Sequence, residues 1–352
     1  MSEDETLLRR AAAHAQKYLD DVDERPVRAT IGADELRRQL GGKLAKRGED
    51  PADVVDLLAR AGQQGTVATQ GGRYFGFVVG SSFPVATAAD WLVSGWDQNA
   101  GLYVLSPIAA VVEQIAGEWI QDLLGIPPAW SVGFVTGGAM ANFTALAAAR
   151  HHVLDAAGCD VEAKGLFGAP PVTVAASEDS HYSIATAARM LGLGADRVRR
   201  IPTDVQGRMR VDELSKVLND TTGPCIVCAQ AGNVNTGAFD PIEAIATETA
   251  ARGAWLHVDG AFGLWAGASP SLRHLVAGIE RADSVTTDGH KWLNVPYDCG
   301  VAFCAHPEAH RHAMMLAAAY IVDTASERDP RAYAPEESRR ARAVPVYAVL
   351  RT

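Results

Sequence analysis

The stretch Trp255–Gly263 reads WLHVDGAFG and places an aspartate directly after a short apolar run. A run of this kind predicts a buried β-strand, so we expect Asp259 at the carboxyl end of that strand. An ionised side chain there needs a partner to offset its desolvation, and a protonated ring nitrogen would be such a partner. A turn or capping role is the alternative, because Asp is common before Gly in turns.

Further apolar runs lie on either side of this strand and alternate with helical patterns. This alternation predicts an α/β fold with a mostly parallel sheet and helices on both faces. Ligands of such sheets bind at the carboxyl ends of the strands. The other predicted strands are SVGFV (131–135), PVTVAAS (171–177), RVRRIP (197–202), PCIVCAQ (224–230) and SVTTDG (284–289).

The first of these strands continues through Thr136, Gly137 and Gly138 into a helical pattern. Bare backbone N–H groups at a helix N-terminus are an arrangement that binds phosphate. A Gly-Gly turn into a helix also occurs for packing reasons alone, so this segment by itself leaves both interpretations open.

The last strand is followed by Lys291, within TTDGHKWLNVPYDCG (286–300). A lysine in a partly desolvated pocket can form a Schiff base with an aldehyde, although most lysines are surface residues. A phosphate cradle, a buried aspartate and a lysine at successive strand ends match the phosphate, ring nitrogen and aldehyde of pyridoxal phosphate. Together the three features favour a site for that cofactor.

From about Tyr74 to Leu350 the chain resembles the group II pyridoxal-phosphate-dependent amino-acid decarboxylases, which include the aromatic-L-amino-acid and glutamate decarboxylases. The resemblance rests on HVDGAF (257–262) and DGHKWLNVPYDCG (288–300). It implies the type I, aspartate aminotransferase-like fold with a mixed sheet. It also implies pyridoxal 5'-phosphate as cofactor, conversion of an L-amino acid into an amine and CO2, and a homodimer.

The resemblance further implies the roles of single residues. Lys291 would carry the Schiff base, Asp259 would pair with the pyridine nitrogen, and His181 would stack on the ring and orient the substrate carboxylate. Further cofactor contacts are implied for Ala261, Gly138, Ala139, His290 and Asn233, the last at a position where many relatives have threonine.

Two parts of the pattern depart from the family. Relatives use a loop tyrosine to protonate the intermediate, and alignment on Arg339 and Arg340 places Pro330 at that position. Tyr333 is the candidate replacement, local packing of a loop aromatic is the alternative, and an aldehyde is the alternative product. The substrate pocket, lined from the neighbouring subunit, would contain Gln98 and Asn99, and Phe77 is expected either there or in the core.

The predicted organisation has three parts. Residues 1–62 form a helical arm that packs on the partner subunit, and residues 63–318 form the large cofactor-binding domain. Residues 319–352 contain a mobile catalytic loop and the start of a small C-terminal domain that is largely missing. A related lyase, an aldehyde synthase or an inactive dimerisation partner remains an alternative to an active decarboxylase.

Composition limits the partners. The formal net charge of −10 disfavours nucleic acid and anionic membranes, and the charged N-terminus does not resemble a signal peptide. Five cysteines, an odd number, suit reduced thiols and a cytoplasmic location. His306 and His310 are four residues apart, but HPEAH lacks the HExxH pattern, so we expect no metal site.

Overall fold

The structure, a computed structural model, describes residues 3–44, 46–315 and 327–352. The chain divides into two compact units, Met1–Ser81 and Ser82–Thr352. Among the residues described, none of the helices is both long and apolar enough to cross a membrane.

The first unit extends further along the chain than the predicted arm of residues 1–62. After its third helix the backbone returns to the loop between the first two helices: the Ala68 N–H donates to the Val27 carbonyl oxygen at 3.0 Å, and the Gly72 N–H donates to Asp23 Oδ1 at 3.0 Å. The first compact unit ends at Ser81, and the division into three parts stays a prediction. The arm's packing on a partner subunit stays a prediction. The helices are α1 (Glu3–Asp21), α2 (Ala33–Leu40) and α3 (Pro51–Gly65).

The second unit contains a seven-stranded sheet with the order β1-β7-β6-β5-β4-β2-β3. Strand β7 is antiparallel to both of its neighbours, and the other pairs are parallel. The sheet is therefore mixed and mostly parallel, as predicted, although the GVAFC run that forms β7 was missed. The strands are β1 (Ser131–Val135), β2 (Thr173–Ser177), β3 (Arg199–Ile201), β4 (Cys225–Gln230), β5 (Trp255–Asp259), β6 (Ser284–Asp288) and β7 (Gly300–Cys304).

Helices cover both faces of this sheet because alternate strand residues point in opposite directions. In β4, Val227 and Ala229 pack in the core formed with α5, α9 and α10, whereas Ile226 and Cys228 pack in the core formed with α6 and α8. The helices are α4 (Pro84–Trp96), α5 (Pro107–Leu124), α6 (Gly138–Asp155), α7 (Val161–Lys164), α8 (Ser183–Met190), α9 (Val211–Asp220), α10 (Ile242–Ala250), α11 (Pro307–Met314) and α12 (Ala343–Arg351).

The antiparallel direction of β7 places the ends of three other strands at one edge of the sheet. Strands β1 and β6 flank β7 and run in the same direction, so the loop after β1 and the loops after β5 and β6 open on the same side. The first residue of β7, Gly300, lies against Gly137, where a Cβ would be 2.5 Å from the Gly137 carbonyl carbon. This close approach requires glycine at position 300.

Residues 327–352, the described part of the predicted segment 319–352, belong to the second unit. The loop was predicted within DTASERDPRAYAPEESRR (323–340), and residues 319–326 of the segment 319–352 lie outside the described residues. Helix α12 packs through Val344 against Ala89 and Val93 of α4 and Ala109 of α5. The last helix is thus part of the same compact unit as the sheet.

Residues 327–342 are held by a buried carboxylate on α5. Glu113, 1% exposed, pairs with Arg328 at 3.2 Å and with Arg339 at 2.8 Å. The two guanidinium groups also donate to the main-chain carbonyl oxygens of Val132 and Phe134 in β1. One carboxylate therefore joins this segment to α5 and to the edge of the sheet.

We expect Glu113→Gln to lower the free energy of unfolding by about 3 kcal/mol or more, because it leaves buried arginine charge without its counter-ion. Urea unfolding followed by circular dichroism measures the loss. Glu118→Gln, on the exposed side of the same helix, is the matched control and should change stability by less than about 0.5 kcal/mol. Equal effects of the two substitutions would contradict this role of Glu113.

Candidate active site

Three of the predicted site residues come together at the carboxyl edge of the sheet. Asp259 ends β5, Lys291 follows β6, and His181 precedes α8 after β2. His181 lies close enough to Asp259, Lys291 and Asp288 for all three charges to act on its imidazole. Burial is the largest influence on this imidazole and lowers the pKa of His181. The ring is therefore neutral near pH 7.

Asp259 is buried, and each of its oxygens is bound from a different element. Oδ1 accepts from the backbone N–H of Ala261 at 3.1 Å, and Oδ2 accepts from Asn142 Nδ2, on α6, at 2.8 Å. Each carboxylate oxygen accepts more than one hydrogen bond, so the group can still bind a protonated ring nitrogen. Its orientation is fixed before any ligand arrives.

Asn142 connects this carboxylate to the rest of the site. Its side chain is fully buried and uses all of its hydrogen-bonding capacity. Besides Asp259, Nδ2 donates to Ser183 Oγ at 3.0 Å, and Oδ1 accepts from Thr286 Oγ1 at 2.7 Å and from His257 Nε2 at 3.0 Å. An ionised aspartate only accepts, so Asp259 determines which end of the Asn142 amide is the donor.

This order of donors assigns the protons on both histidines. The Ser183 backbone N–H donates to His181 Nδ1 at 3.3 Å, so this nitrogen is an acceptor. The Ser183 hydroxyl, which accepts from Asn142, therefore donates to Nδ1 at 2.7 Å, and the His181 proton lies on Nε2. His257 likewise carries its proton on Nε2, and its Nδ1 accepts from Ser284 Oγ at 2.9 Å. Burial lowers the pKa of His257 to about 4, so this ring also stays neutral.

The predicted phosphate loop lies beside Asp288 and Ala261. Gly138 and Ala139 are the first residues of α6, whose N–H groups lack helical partners at this end. A Cβ on Gly138 would lie 2.9 Å from Asp288 Oδ2 and 3.5 Å from the Cβ of Ala261. A side chain at position 138 would therefore overlap the Asp288 carboxylate.

Lys291 and His290 both face this loop. Lys291 Nζ lies 2.8 Å from Asp288 Oδ2, and its side chain is 21% exposed. His290 Nδ1 accepts from the Cys299 N–H at 3.1 Å, so its proton lies on Nε2, 3.7 Å from the same Asp288 oxygen. Burial lowers the pKa of His290 and favours the neutral ring.

These groups fit pyridoxal phosphate. The α6 N-terminus at Gly138 offers N–H donors to a phosphate, and Asp259 offers an oriented acceptor to a ring N–H. Lys291 provides an amine for the aldehyde, Ala261 is small enough to lie beneath a ring, and His181 directs an N–H donor from its Nε2.

Asn233 lies in a turn after β4, and its described side-chain bonds stay within that turn. Its Oδ1 accepts from the N–H groups of Asn235 at 2.8 Å and Thr236 at 3.2 Å. A Cβ on Gly207 would lie 3.1 Å from Asn233 Nδ2. The predicted cofactor contact of Asn233 stays a prediction.

The residues predicted for the substrate pocket lie in two places. Phe77 is in the first unit and is 91% exposed. Gln98 and Asn99 follow α4, where Asn99 Oδ1 accepts from the Arg339 N–H at 3.2 Å. The role assigned to Gln98 and Asn99 involves a neighbouring subunit and stays a prediction.

Tyr333 lies at the other end of β1 from the phosphate loop. Its ring contacts the edge of His310, with centroids 5.4 Å apart, and carries the Arg328 guanidinium at 4.6 Å. His310 in turn bonds to Ser131, the first residue of β1, at 2.9 Å. This position corresponds to the local packing alternative within one chain. The catalytic role of Tyr333 stays a prediction.

Sequence reasoning missed several residues that build the site. Each is a buried polar residue within a helix or strand, or at its end, and such a residue requires a hydrogen-bonding partner. They are Asn142, Ser183, His257, Thr286 and Asp288.

The family description "Pyridoxal-dependent decarboxylase conserved domain" matches residues 36–352. The aromatic-L-amino-acid decarboxylase of Bacillus atrophaeus is 31% identical over 87% of this chain and 62% of its own length. Human cysteine sulfinic acid decarboxylase is 32% identical over 76% of this chain and 54% of its own length. The chain belongs to the pyridoxal-dependent decarboxylase family, as the motifs predicted.

Among solved structures, Oryza sativa TDC with PLP and tryptamine superposes with a TM-score of 0.92 at 23% identity, over 100% of this chain and 75% of that one. Mouse CSAD superposes with a TM-score of 0.88 at 26% identity, over 99% and 73%. The predicted type I fold is confirmed. The chain spans less than two thirds of the length of the two curated relatives.

We expect Ser183→Ala to weaken the preference of His181 for the Nε2-protonated tautomer, because Nδ1 loses the hydroxyl donor at 2.7 Å and keeps only the longer bond from the backbone N–H at 3.3 Å. Nitrogen NMR of histidine-labelled protein should show an Nε2-protonated His181 in the parent chain and a mixture of tautomers in the variant. Ser215→Ala, which removes a hydroxyl bound to Glu248 at 2.8 Å, should leave the His181 signal unchanged. A parent His181 protonated on Nδ1 would disprove the assignment.

Proposed function

We propose that this chain binds pyridoxal 5'-phosphate and decarboxylates an L-amino acid to an amine and CO2. The observation that carries the proposal is the assembly of Lys291, Asp259 and His181 beside the Gly138 loop, in a chain of the pyridoxal-dependent decarboxylase family. When bound, the cofactor would accept the electron pair left by the departing CO2.

Each residue has a distinct task in this reaction. Lys291 would hold the aldehyde of the cofactor through its amine. Asp259, oriented by Asn142, favours a protonated ring nitrogen, and a positive ring withdraws electrons more strongly. The Nε2–H of neutral His181 is available to hold a substrate carboxylate. His181 would thereby orient the carboxylate for the loss of CO2.

We expect Lys291→Ala to abolish CO2 release and the visible absorbance band of bound cofactor. Borohydride reduction followed by peptide mapping should attach the cofactor to Lys291 in the parent chain. A panel of aromatic, acidic and diamino acids with CO2 detection identifies the substrate. Lys216→Ala, on α9, removes an exposed lysine paired with Glu213 and should match the parent.

Two results would count against the proposal. One is CO2 release by Lys291→Ala at the parental rate. The other is a folded parent chain that binds the cofactor and releases no CO2 from any amino acid of the panel.

We also propose that the chain forms a homodimer in the cytoplasm. Exposed large apolar side chains are concentrated between positions 83 and 111 of the second unit, and patches of this kind mark interfaces. Reduced cysteines support the location, and the five cysteines are free. The exposed residues are Phe83, Trp91, Leu92, Trp96, Val104, Leu105, Ile108 and Val111.

We expect sedimentation to give twice the chain mass of 37.3 kDa. Ile108→Glu should weaken the dimer at least about tenfold, because it buries an unpaired charge in the interface. Val205→Glu, at a position 97% exposed outside the patch, is the control and should remain dimeric. A monomeric parent chain at micromolar concentration would refute the homodimer.

A further inference from the structure

Asp288 is a buried carboxylate for which the proposed reaction has no task. It ends β6, is 1% exposed, and pairs through Oδ2 with Lys291 Nζ at 2.8 Å. Within the described part of the chain, no hydrogen-bond donor reaches Oδ1. A buried carboxylate oxygen without a donor is costly, so the surroundings must compensate for it in another way.

The surroundings of Asp288 favour an anion on three sides. Lys291 supplies a positive charge, and His290 directs its Nε2–H toward Asp288 from 3.7 Å. The third side is the N-terminus of α6, where a Cβ on Gly138 would lie 2.9 Å from Asp288 Oδ2. A helix N-terminus carries about half a positive charge and stabilises a nearby anion.

We propose that Asp288 is a resident anion at the phosphate end of the cofactor site. Its carboxylate balances Lys291 and the α6 N-terminus in the free protein, and it opposes the phosphate when the cofactor binds. Cofactor binding would then exchange the partners of these groups. The phosphate would bind the α6 N-terminus, and Lys291 would break its ion pair with Asp288 to bind the aldehyde. This inference rests on the proposed function, because it assigns the Gly138 loop to the phosphate.

Asp288 therefore acts as a positioning residue that tunes affinity for the phosphate group in particular. The carboxylate occupies the space that a Cβ on Gly138 would need, so the repulsion acts over a few ångström in a partly desolvated site. Pyridoxal lacks the phosphate and escapes this repulsion, whereas both ligands need the same Lys291 amine. The ratio of the two affinities isolates the phosphate contribution.

The test compares the cofactor-free parent chain with Asp288→Asn, which keeps the shape of the side chain and removes its charge. Calorimetric titrations use pyridoxal phosphate, pyridoxal and inorganic phosphate as probes. We expect the ratio of pyridoxal phosphate to pyridoxal affinity to rise at least about tenfold in Asp288→Asn, together with tighter binding of inorganic phosphate. An unchanged or lower ratio, or no phosphate binding by the variant, overturns the inference.

The matched control is Asp283→Asn, which makes the same change of net charge just before the opposite end of β6. Asp283 bonds to His306 at 2.8 Å and lies outside the cofactor machinery. Its substitution should leave the affinity ratio unchanged, and an equal rise in both variants would overturn the inference. If Asp288→Asn does not fold by circular dichroism, Asp288→Ser is used in the same titrations.

The phosphate arm separates this inference from the proposed function. Inorganic phosphate needs neither an aldehyde nor turnover, so it reports on Asp288 even if the chain does not react with pyridoxal. A folded chain that binds phosphate more tightly without Asp288, but takes up neither pyridoxal nor pyridoxal phosphate, would refute the proposed function and support the resident anion.

Discussion

The buried amide of Asn142 is the interaction on which the geometry of the site depends. Its four hydrogen bonds join α6 to β5, β6 and the start of α8, so elements from different parts of the chain share one fixed point. Hydrogen bonds among buried groups are strong when every member is satisfied and costly when one is not. The fully satisfied network gives Asp259 one orientation and His181 one tautomer. A ligand therefore does not have to order these two side chains on binding, which lowers the entropic cost of binding.

Much of the fold and part of the site could be predicted because the relevant signals are local. Asp259 and Lys291 each follow a recognisable apolar run, and the strand-helix alternation fixes which edge of the sheet they occupy. The antiparallel β7 was missed, since a five-residue apolar run does not reveal its direction. The partners of Asn142 could not be assigned either, because Thr286 and His257 lie more than a hundred residues away along the chain.

Tyr333 illustrates a different limit of sequence reasoning. Counting back from Arg339 and Arg340 fixes a position along the chain but not the path of the backbone between them. That path is set by Glu113, whose pairs with Arg328 and Arg339 draw the segment onto α5 and the edge strand. Tyr333 consequently packs on His310, which is fully buried and whose pKa is lowered by burial to about 3. The sequence around Tyr333 therefore does not predict which residues its ring contacts.

The pairing of β1 with β7 bears on how the chain acquires its site during synthesis. Ser131 and Cys304, which face each other across this pair, are 173 residues apart, so the contact is among the most non-local in the sheet. Non-local strand pairs form late in folding, because closing the long loop between them costs entropy before their contacts can stabilise the pair. The glycine loop after β1 leaves the ribosome early but gains its neighbours only once β7 has been translated. The nascent protein therefore has no complete cradle for an anion until nearly the whole sheet has been made.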